Sequence, residues 1–210
     1  MNGVVFDFDG VLGDSEPISW AAWAAALRPY GIQVNPQDIA ACTGTTSRDT
    51  HAYFADQAAL PAYPEVLAAV DRYRQRAYSK ELRAFPDARN AVQELAMVGV
   101  PLAVASSSSR VNLDIKLEVL GLGRYFDVTV AGDEVANGKP APDIYLEVIE
   151  QLGIDPGMSI AVEDTGIGAD AAAAAGLRTV IVKRMEVPTG LHPVVSEVDP
   201  DLLLLWLGHL

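Results

Sequence analysis

Five short runs of apolar residues divide the chain, at positions 4–6, 101–105, 128–130, 160–162 and 180–182. Apolar runs of this length that lack polar alternation are typical of strands buried on both faces of a parallel sheet. Between the later runs, apolar residues recur every three or four positions, as at Leu113, Leu117 and Leu120 before Gly121, which predicts helices. Alternating strands and helices with right-handed crossovers predict a doubly wound parallel sheet.

The interval from residue 14 to residue 82 breaks this alternation, because it contains helical patterns and no strand pattern. Asn35 before Pro36 predicts an N-cap and the first helical position of one helix. Two helical faces are predicted, formed by Trp20, Trp23, Ala24 and Leu27, and by Val66, Leu67, Val70 and Tyr73. We therefore predict an α/β, Rossmann-like core from residues 1–13 and 83–210 with an inserted α-helical cap domain at 14–82. The run "LLLLWL" near the end predicts a helix docked on the core.

Composition and charge exclude several classes of function. The 210-residue chain has a formal net charge of −13, which disfavours nucleic acid and anionic membranes as partners. No apolar run approaches the ~20 residues of a membrane span, and the first residues lack the features of a secretory signal. A single cysteine, Cys42, excludes an internal disulfide and a multi-cysteine zinc site. We expect a cytoplasmic protein that is a monomer or a weak homodimer, with His51, His192 and His209 in no metal or catalytic role.

Polar side chains follow four of the five apolar runs, where an open parallel sheet binds its ligands. In chain order they are Asp7 and Asp9, the serines 106–109, Gly132-Asp133-Glu134 followed by Lys139, and Glu163 and Asp164. Each group alone has a simpler explanation, such as an Asx-turn at Asp7 or Asp9, a serine loop, or a surface acidic pair. Their joint placement at successive strand ends favours one shared site.

These residue types suit the binding of a phosphoryl group beside a metal ion. The four carboxylates of Asp7, Asp9, Glu163 and Asp164 are hard oxygen ligands, which suit Mg²⁺ better than zinc or copper. Serine hydroxyls and backbone N–H groups that open a helix bind phosphate oxygens, and Lys139 can neutralise a carboxylate and a phosphoryl group. Four carboxylates against one divalent ion and one lysine leave a charge of −1, so we expect one carboxyl to keep its proton.

Four motifs in this order resemble the haloacid dehalogenase superfamily, specifically its phosphatase and β-phosphoglucomutase-like branch with a helical cap after the first strand. They are "DFDGVLGDSEP", "VASSS", "GKPAPDIY" and "VEDTGIGADAAAAAG". The resemblance covers essentially the chain from Val4 to Val182, whereas the cap matches only in size, helicity and position.

The resemblance implies a role for each matching residue. Asp7 is expected to be the nucleophile that forms an aspartyl-phosphate. Asp9 is expected to be the general acid and then the base, and to bind magnesium through its backbone carbonyl. Ser106 and Lys139 would bind the transferring phosphoryl group. Asp164 would bind Mg²⁺ directly, and Glu163 directly or through water.

We therefore expect a magnesium-dependent phosphatase acting on a small phosphorylated metabolite. Two alternatives stay open at this point, a β-phosphoglucomutase-type mutase and a non-catalytic phosphate- or metal-binding relative. Mutases of that type carry a histidine five residues after the acidic position that matches Asp14, where this chain has Ser19. We expect substrate binding by Ser107, Ser19 and Arg48, the last two within selectivity loops near residues 15–19 and 43–48.

Overall fold

The computed structural model describes residues 1–42, 46–184 and 192–208. The chain divides into two compact units, Met1–Asp14 with Arg83–Leu210 and Ser15–Leu82. That the second unit acts as a cap stays a prediction. His209 and residues 43–45 of the predicted selectivity loop lie outside the described residues.

The first unit contains a six-stranded sheet in which every neighbouring pair is parallel. Its strands are β1 (Val4–Phe6), β2 (Leu102–Ser106), β3 (Val128–Ala131), β4 (Ile160–Glu163), β5 (Arg178–Val182) and β6 (Val194–Val195). The order β3-β2-β1-β4-β5-β6 confirms the predicted doubly wound α/β class. Strand β6 was not predicted, because two valines at the edge of a sheet produce no apolar run that differs from a loop.

The register of the central strands brings their carboxyl ends to one level. Phe6 of β1 lies opposite Val104 of β2 and Val162 of β4. All residues of these three strands are buried, and the polar ones among them stand only at the last position of a strand. Asp7 follows β1 directly, while β2 and β4 end at Ser106 and Glu163.

In its described residues, the second unit has four α-helices around an apolar centre. They are α1 (Glu16–Leu27), α2 (Pro36–Cys42), α3 (Ser47–Ala55) and α4 (Tyr63–Glu81). Trp23, Leu27, Phe54, Val66 and Val70 are buried together in this centre. The Asn35 side chain accepts hydrogen bonds from the N–H groups of Gln37 and Asp38, as expected of a residue that caps α2.

The predicted helical faces of this unit are partly wrong. On α4 the buried side chains are Val66, Val70, Ala77 and Tyr78, whereas Tyr73 is exposed. On α1, Trp20 and Ala24 are only half-buried, whereas Ile18 and Ala22 are buried. Sequence spacing gives the period of a helix, but aromatic and alanine residues satisfy it on more than one face.

Where the chain of the first unit is described, five further α-helices flank its sheet. They are α5 (Pro86–Met97), α6 (Arg110–Leu120), α7 (Asp143–Leu152), α8 (Gly166–Ala174) and α9 (Pro200–Leu207). The run "LLLLWL" lies in α9, where Leu203 and Leu207 are buried. Within the part of the chain that is described, no helix has both the length and the apolar character required to cross a bilayer.

The burial of α5 gives a test of the fold. Leu95→Ala should lower the free energy of unfolding by about 2–4 kcal/mol, because Leu95 is fully buried and its truncation leaves a cavity. Met97→Ala on the same helix should change it by less than about 0.5 kcal/mol, because Met97 is 78 % exposed. Urea unfolding of both variants measures the difference, and equal losses would contradict the orientation of α5.

Candidate active site

A buried lysine joins two strand ends at the carboxyl edge of the sheet. Lys139, in the loop before α7, donates hydrogen bonds to Asp7 Oδ1 at 2.7 Å and to Glu163 Oε1 at 2.6 Å. It also donates to the Ala105 carbonyl oxygen at 3.0 Å, so that it contacts the ends of β1, β2 and β4. The three side chains are at most 9 % exposed, which makes this a desolvated ionic cluster.

Burial dominates the electrostatics of this cluster. It raises the pKa of Asp7 to about 7, since Lys139 offsets only part of the cost and the nearby Glu163 and Asp9 raise the pKa further. Burial by itself would lower the pKa of Lys139, but the carboxylates of Asp7 and Glu163 raise it well above its usual value. The lysine therefore stays charged, while Asp7 is the group whose ionisation is costly.

Tyr145, on α7, is hydrogen-bonded to Glu163. This α7 residue is fully buried, and its hydroxyl donates a hydrogen bond to Glu163 Oε1. Burial, followed by the charge of Glu163, raises the pKa of Tyr145 well above its usual value, so the phenol keeps its proton. Tyr145 was not predicted to belong to the site, because a tyrosine among apolar helical residues is typical of the hydrophobic core.

Three of the predicted metal ligands lie together. One carboxylate oxygen from each of Asp7, Glu163 and Asp164 lies within 4.8 Å of the other two. Gly10 permits the approach of Asp164: its φ is +77°, and a Cβ atom there would overlap the Asp164 carboxylate. Oxygen donors that crowd around a buried carboxyl of raised pKa fit a divalent cation, which would relieve their repulsion.

Asp9 is bound by a lysine that the sequence analysis did not identify. Lys116 Nζ, on α6, lies 2.7 Å from both carboxylate oxygens of Asp9. Ser108 Oγ donates to Asp9 Oδ2 at 3.1 Å, and the Lys116 ammonium also donates to Ser108 Oγ at 2.7 Å. The side chain of Lys116 is fully buried, whereas that of Asp9 is 32 % exposed. Asp9 thus has one side in the interior and another that solvent reaches.

The position of Lys116 in the sequence carried a signal. It lies within the stripe formed by Leu113, Leu117 and Leu120, all buried on α6. A lysine inside an apolar helical stripe must be buried with a counterion, which makes it a candidate for a polar site. With Lys116 included, four carboxylates, two lysines and one divalent cation sum to zero, so net charge does not account for the proton that the expected acid role of Asp9 requires.

The serines after β2 have separate environments. Ser106 is buried; its Oγ accepts a hydrogen bond from the Ser108 N–H at 3.2 Å and lies 3.5 Å from Asp9 Oδ2. Ser107 is exposed, and Ser109 is the residue before α6. Ser106 and Ser108 therefore belong to the surroundings of Asp9, and the phosphate-binding role of Ser106 and Ser107 stays a prediction.

The two predicted substrate-binding residues of the helical unit have partners within that unit. Ser19 Oγ, on α1, accepts a hydrogen bond of 2.6 Å from Arg74 Nη2. The Arg48 guanidinium, on α3, lies 4.6 Å from the ring centroid of Tyr63, in cation–π contact. Their substrate-binding roles stay predictions.

Two known phosphatases and one solved structure are similar to this chain over most of its length. Fructose-1-phosphate phosphatase YqaB of Escherichia coli is 35 % identical over 191 residues, which cover 86 % of this chain and 96 % of that protein. A phosphorylated carbohydrates phosphatase of Thermotoga maritima is 32 % identical over 190 residues, covering 86 % and 84 %. The crystal structure of CbbY from Rhodobacter sphaeroides in complex with phosphate has the same fold, with a TM-score of 0.88 at 24 % identity over 99 % of both chains.

The family model of haloacid dehalogenase-like hydrolases matches residues 4–182, which contain all four motifs noted in the sequence. The resemblance drawn from those motifs is confirmed. Proteins of this family generally use a divalent metal, in keeping with the carboxylate cluster. The chain therefore belongs to the haloacid dehalogenase-like hydrolases and is an enzyme.

Proposed function

We propose that this enzyme is a magnesium-dependent phosphomonoester hydrolase that releases phosphate from a small phosphorylated metabolite through an aspartyl-phosphate on Asp7. The observation that carries the proposal is the Lys139 ammonium held between Asp7 and Glu163 in a buried carboxylate cluster. A phosphoryl dianion that approaches Asp7 would be attracted by this ammonium, which lies 2.7 Å from Asp7 Oδ1. Phosphoryl transfer requires mainly positioning and charge neutralisation, and this arrangement supplies both.

In the first half-reaction, an Asp7 carboxylate oxygen attacks phosphorus and the bond to the leaving-group oxygen breaks. Asp9 gives a proton to that oxygen, so the metabolite leaves as an alcohol. In the second, Asp9 takes a proton from water as the water oxygen attacks the aspartyl-phosphate, which frees inorganic phosphate and regenerates Asp7. The partial exposure of Asp9 supports this role, because the group must reach both the leaving group and water.

The proposed metal is Mg²⁺, held by Asp7 and Asp164, by Glu163 directly or through water, and by the backbone carbonyl of Asp9. An all-oxygen set suits this ion. When bound, Mg²⁺ would neutralise charge on the phosphoryl oxygens and on the carboxylates around it. Tyr145 keeps Glu163 in place for this purpose, because its hydroxyl donates to the same carboxylate that Lys139 contacts.

The proposed substrate class is sugar phosphates and similar metabolites, since two relatives over most of this chain are phosphatases of fructose 1-phosphate and of phosphorylated carbohydrates. Ser106 and Ser107 would bind phosphoryl oxygens, and Ser19 and Arg48 would contact the rest of the substrate. Ser19 in place of the mutase histidine favours hydrolysis over return of the phosphoryl group to a sugar. The acidic composition and the lone cysteine agree with a cytoplasmic enzyme.

The function is tested with a panel of sugar and small-acid phosphates, measured by release of inorganic phosphate with Mg²⁺ present. Asp7→Asn should lower kcat by more than about 10³-fold, because an amide oxygen cannot form the acyl phosphate. Asp170→Asn should keep wild-type rates, because the Asp170 side chain is 71 % exposed and pairs with His192. Wild-type turnover retained by Asp7→Asn would refute the nucleophile, and conversion of glucose 1-phosphate to glucose 6-phosphate without free phosphate would favour the mutase.

Metal replacement gives a second prediction. Activity should disappear after chelation, return with Mg²⁺, and return only weakly with Ca²⁺. Calcium takes more ligands at longer distances, which would shift the carboxylates around Asp7 away from the geometry required for attack. Initial rates with each ion, added back to chelated enzyme, measure this; equal rates with both ions would contradict a site built for the smaller ion.

The pH dependence of the metal-free protein gives a third prediction. The pKa of Asp7 is about 7 in the folded state against 3.8 for the ordinary group, so the folded state holds the proton more tightly than the unfolded chain. The contribution of this group to stability therefore falls as pH rises through this interval. Between pH 5 and pH 8 in chelator, Asp7→Asn should gain on the order of 2–3 kcal/mol relative to the wild type.

Urea unfolding of the two proteins at several pH values measures this gain. Lys139 stays charged between pH 5 and pH 8 and keeps Glu163 as its partner in both proteins. The protonation of Lys139 therefore adds no pH-dependent difference between the free energies of unfolding of wild type and Asp7→Asn. Parallel pH profiles for wild type and Asp7→Asn would show that Asp7 is ionised at low pH and would contradict the raised pKa.

A further inference from the structure

The ion pair between Lys116 and Asp9 combines a fully buried cation with a partly exposed anion. Lys116 is among the largest fully buried side chains in the described part of the chain. A buried ammonium is tolerated when a carboxylate and further acceptors satisfy it, and here both oxygens of Asp9 and the hydroxyl of Ser108 do so at 2.7 Å. The Phe8 ring is also buried, and its centroid lies 4.3 Å from Lys116 Nζ, in cation–π contact.

The stability of the fold alone does not explain a lysine at position 116. A helix that must cover a sheet is served better by an apolar residue at position 116, because a buried ion pair seldom stabilises a fold more than well-packed apolar side chains do. Lys116 instead reaches from α6 to the residue proposed as acid and base, and its neighbours Leu113, Leu117 and Leu120 show that the rest of this stripe is apolar.

We propose that Lys116 is a positioning residue that anchors the Asp9 carboxylate from the interior, with its exposed side directed to the reacting groups. The proposal rests on the proposed function, in which Asp9 transfers the protons. An aspartate has two rotatable side-chain bonds, and three donors on its carboxylate, from Lys116, Ser108 and Ser106, restrict both of them. Small errors in the placement of an acid or base reduce its contribution steeply.

The arrangement also explains how Asp9 is separated from Asp7. The two aspartates are two positions apart after the same strand, yet each has its own lysine: Lys139 for Asp7 and Lys116 for Asp9. Asp9 is therefore held by α6, while Asp7 is held by the loop before α7. Phe8, fully buried between them in sequence, packs against the Lys116 ammonium and fixes the backbone from which both carboxylates extend.

The test compares substrates that differ in their need for an acid. p-Nitrophenolate is a stable anion and leaves without accepting a proton. The sugar oxygen of a sugar phosphate must accept a proton as it leaves. Lys116→Met keeps the apolar stem and removes the ammonium; it should lower kcat/KM by roughly 10- to 100-fold for the sugar phosphate that the panel shows to be hydrolysed fastest, and by less than about threefold for p-nitrophenyl phosphate. A residue that serves only the fold would lower both values equally.

A double-mutant cycle shows whether Lys116 acts through Asp9. In the Asp9→Asn background, Lys116→Met should change kcat/KM by less than about twofold, because the group it positions is already absent. Leu117→Met, on the same buried stripe of α6, controls for changed packing and should retain wild-type rates for both substrates. Equal losses on both substrates, or a full additional loss in the Asp9→Asn background, would overturn the proposal.

A crystal structure of Lys116→Met gives a reading that does not depend on turnover. The Asp9 carboxylate should leave its present position or occupy more than one. An Asp9 side chain that stays in place would overturn the positioning role. If the wild type hydrolysed no phosphomonoester, the proposed function would fail while this structure would still decide whether Lys116 positions Asp9.

Discussion

The site depends on one constraint, the need to neutralise carboxylates that the fold withdraws from water at the ends of its central strands. Asp7 and Glu163 are 6 % and 1 % exposed, and burying carboxylates away from water is costly unless they are paired and hydrogen-bonded. Lys139 supplies that cation and spans both strand ends. Because its loop must meet the ends of β1, β2 and β4 together, the strand order and register of the sheet become conditions for the site.

The same constraint explains why the site has two lysines with different surroundings. Lys139 contacts the carboxylates of Asp7 and Glu163 at the candidate metal position, where Asp7 has a raised pKa and we propose that a divalent cation binds. Lys116 serves Asp9, which solvent reaches. Lys139 thus pairs with Asp7 and Glu163, and Lys116 pairs with Asp9. The two aspartates of a single loop can have different roles because different helices and loops hold them.

The sequence predicted the parts of this site that lie on the strand ends. Apolar runs located β1, β2 and β4, and the polar residues directly after them include Asp7, Ser106, Glu163 and Asp164. Lys116 and Tyr145 could not be found in this way, because their polar ends are buried by partners far along the chain, at Asp9 and Glu163. A helical stripe looks the same whether a tyrosine within it fills the core or completes a site, whereas a lysine within it indicates a buried counterion but does not identify that partner. Burial faces were also wrong in part, as the exposed Tyr73 on α4 shows, because spacing alone does not decide whether an aromatic residue lies on the covered face of a helix.

We propose that the Asp7 carboxylate, which Lys139 contacts within the acidic cluster, forms a covalent bond to phosphorus. Borohydride reduces an acyl phosphate to an alcohol and so converts a phosphorylated aspartate to homoserine. Enzyme quenched during turnover, reduced with borohydride and digested should give a peptide with homoserine at position 7, and only when substrate and divalent cation are both present. Homoserine at another aspartate, or the five-carbon alcohol 2-amino-5-hydroxypentanoic acid in place of a glutamate, would contradict Asp7 as the nucleophile.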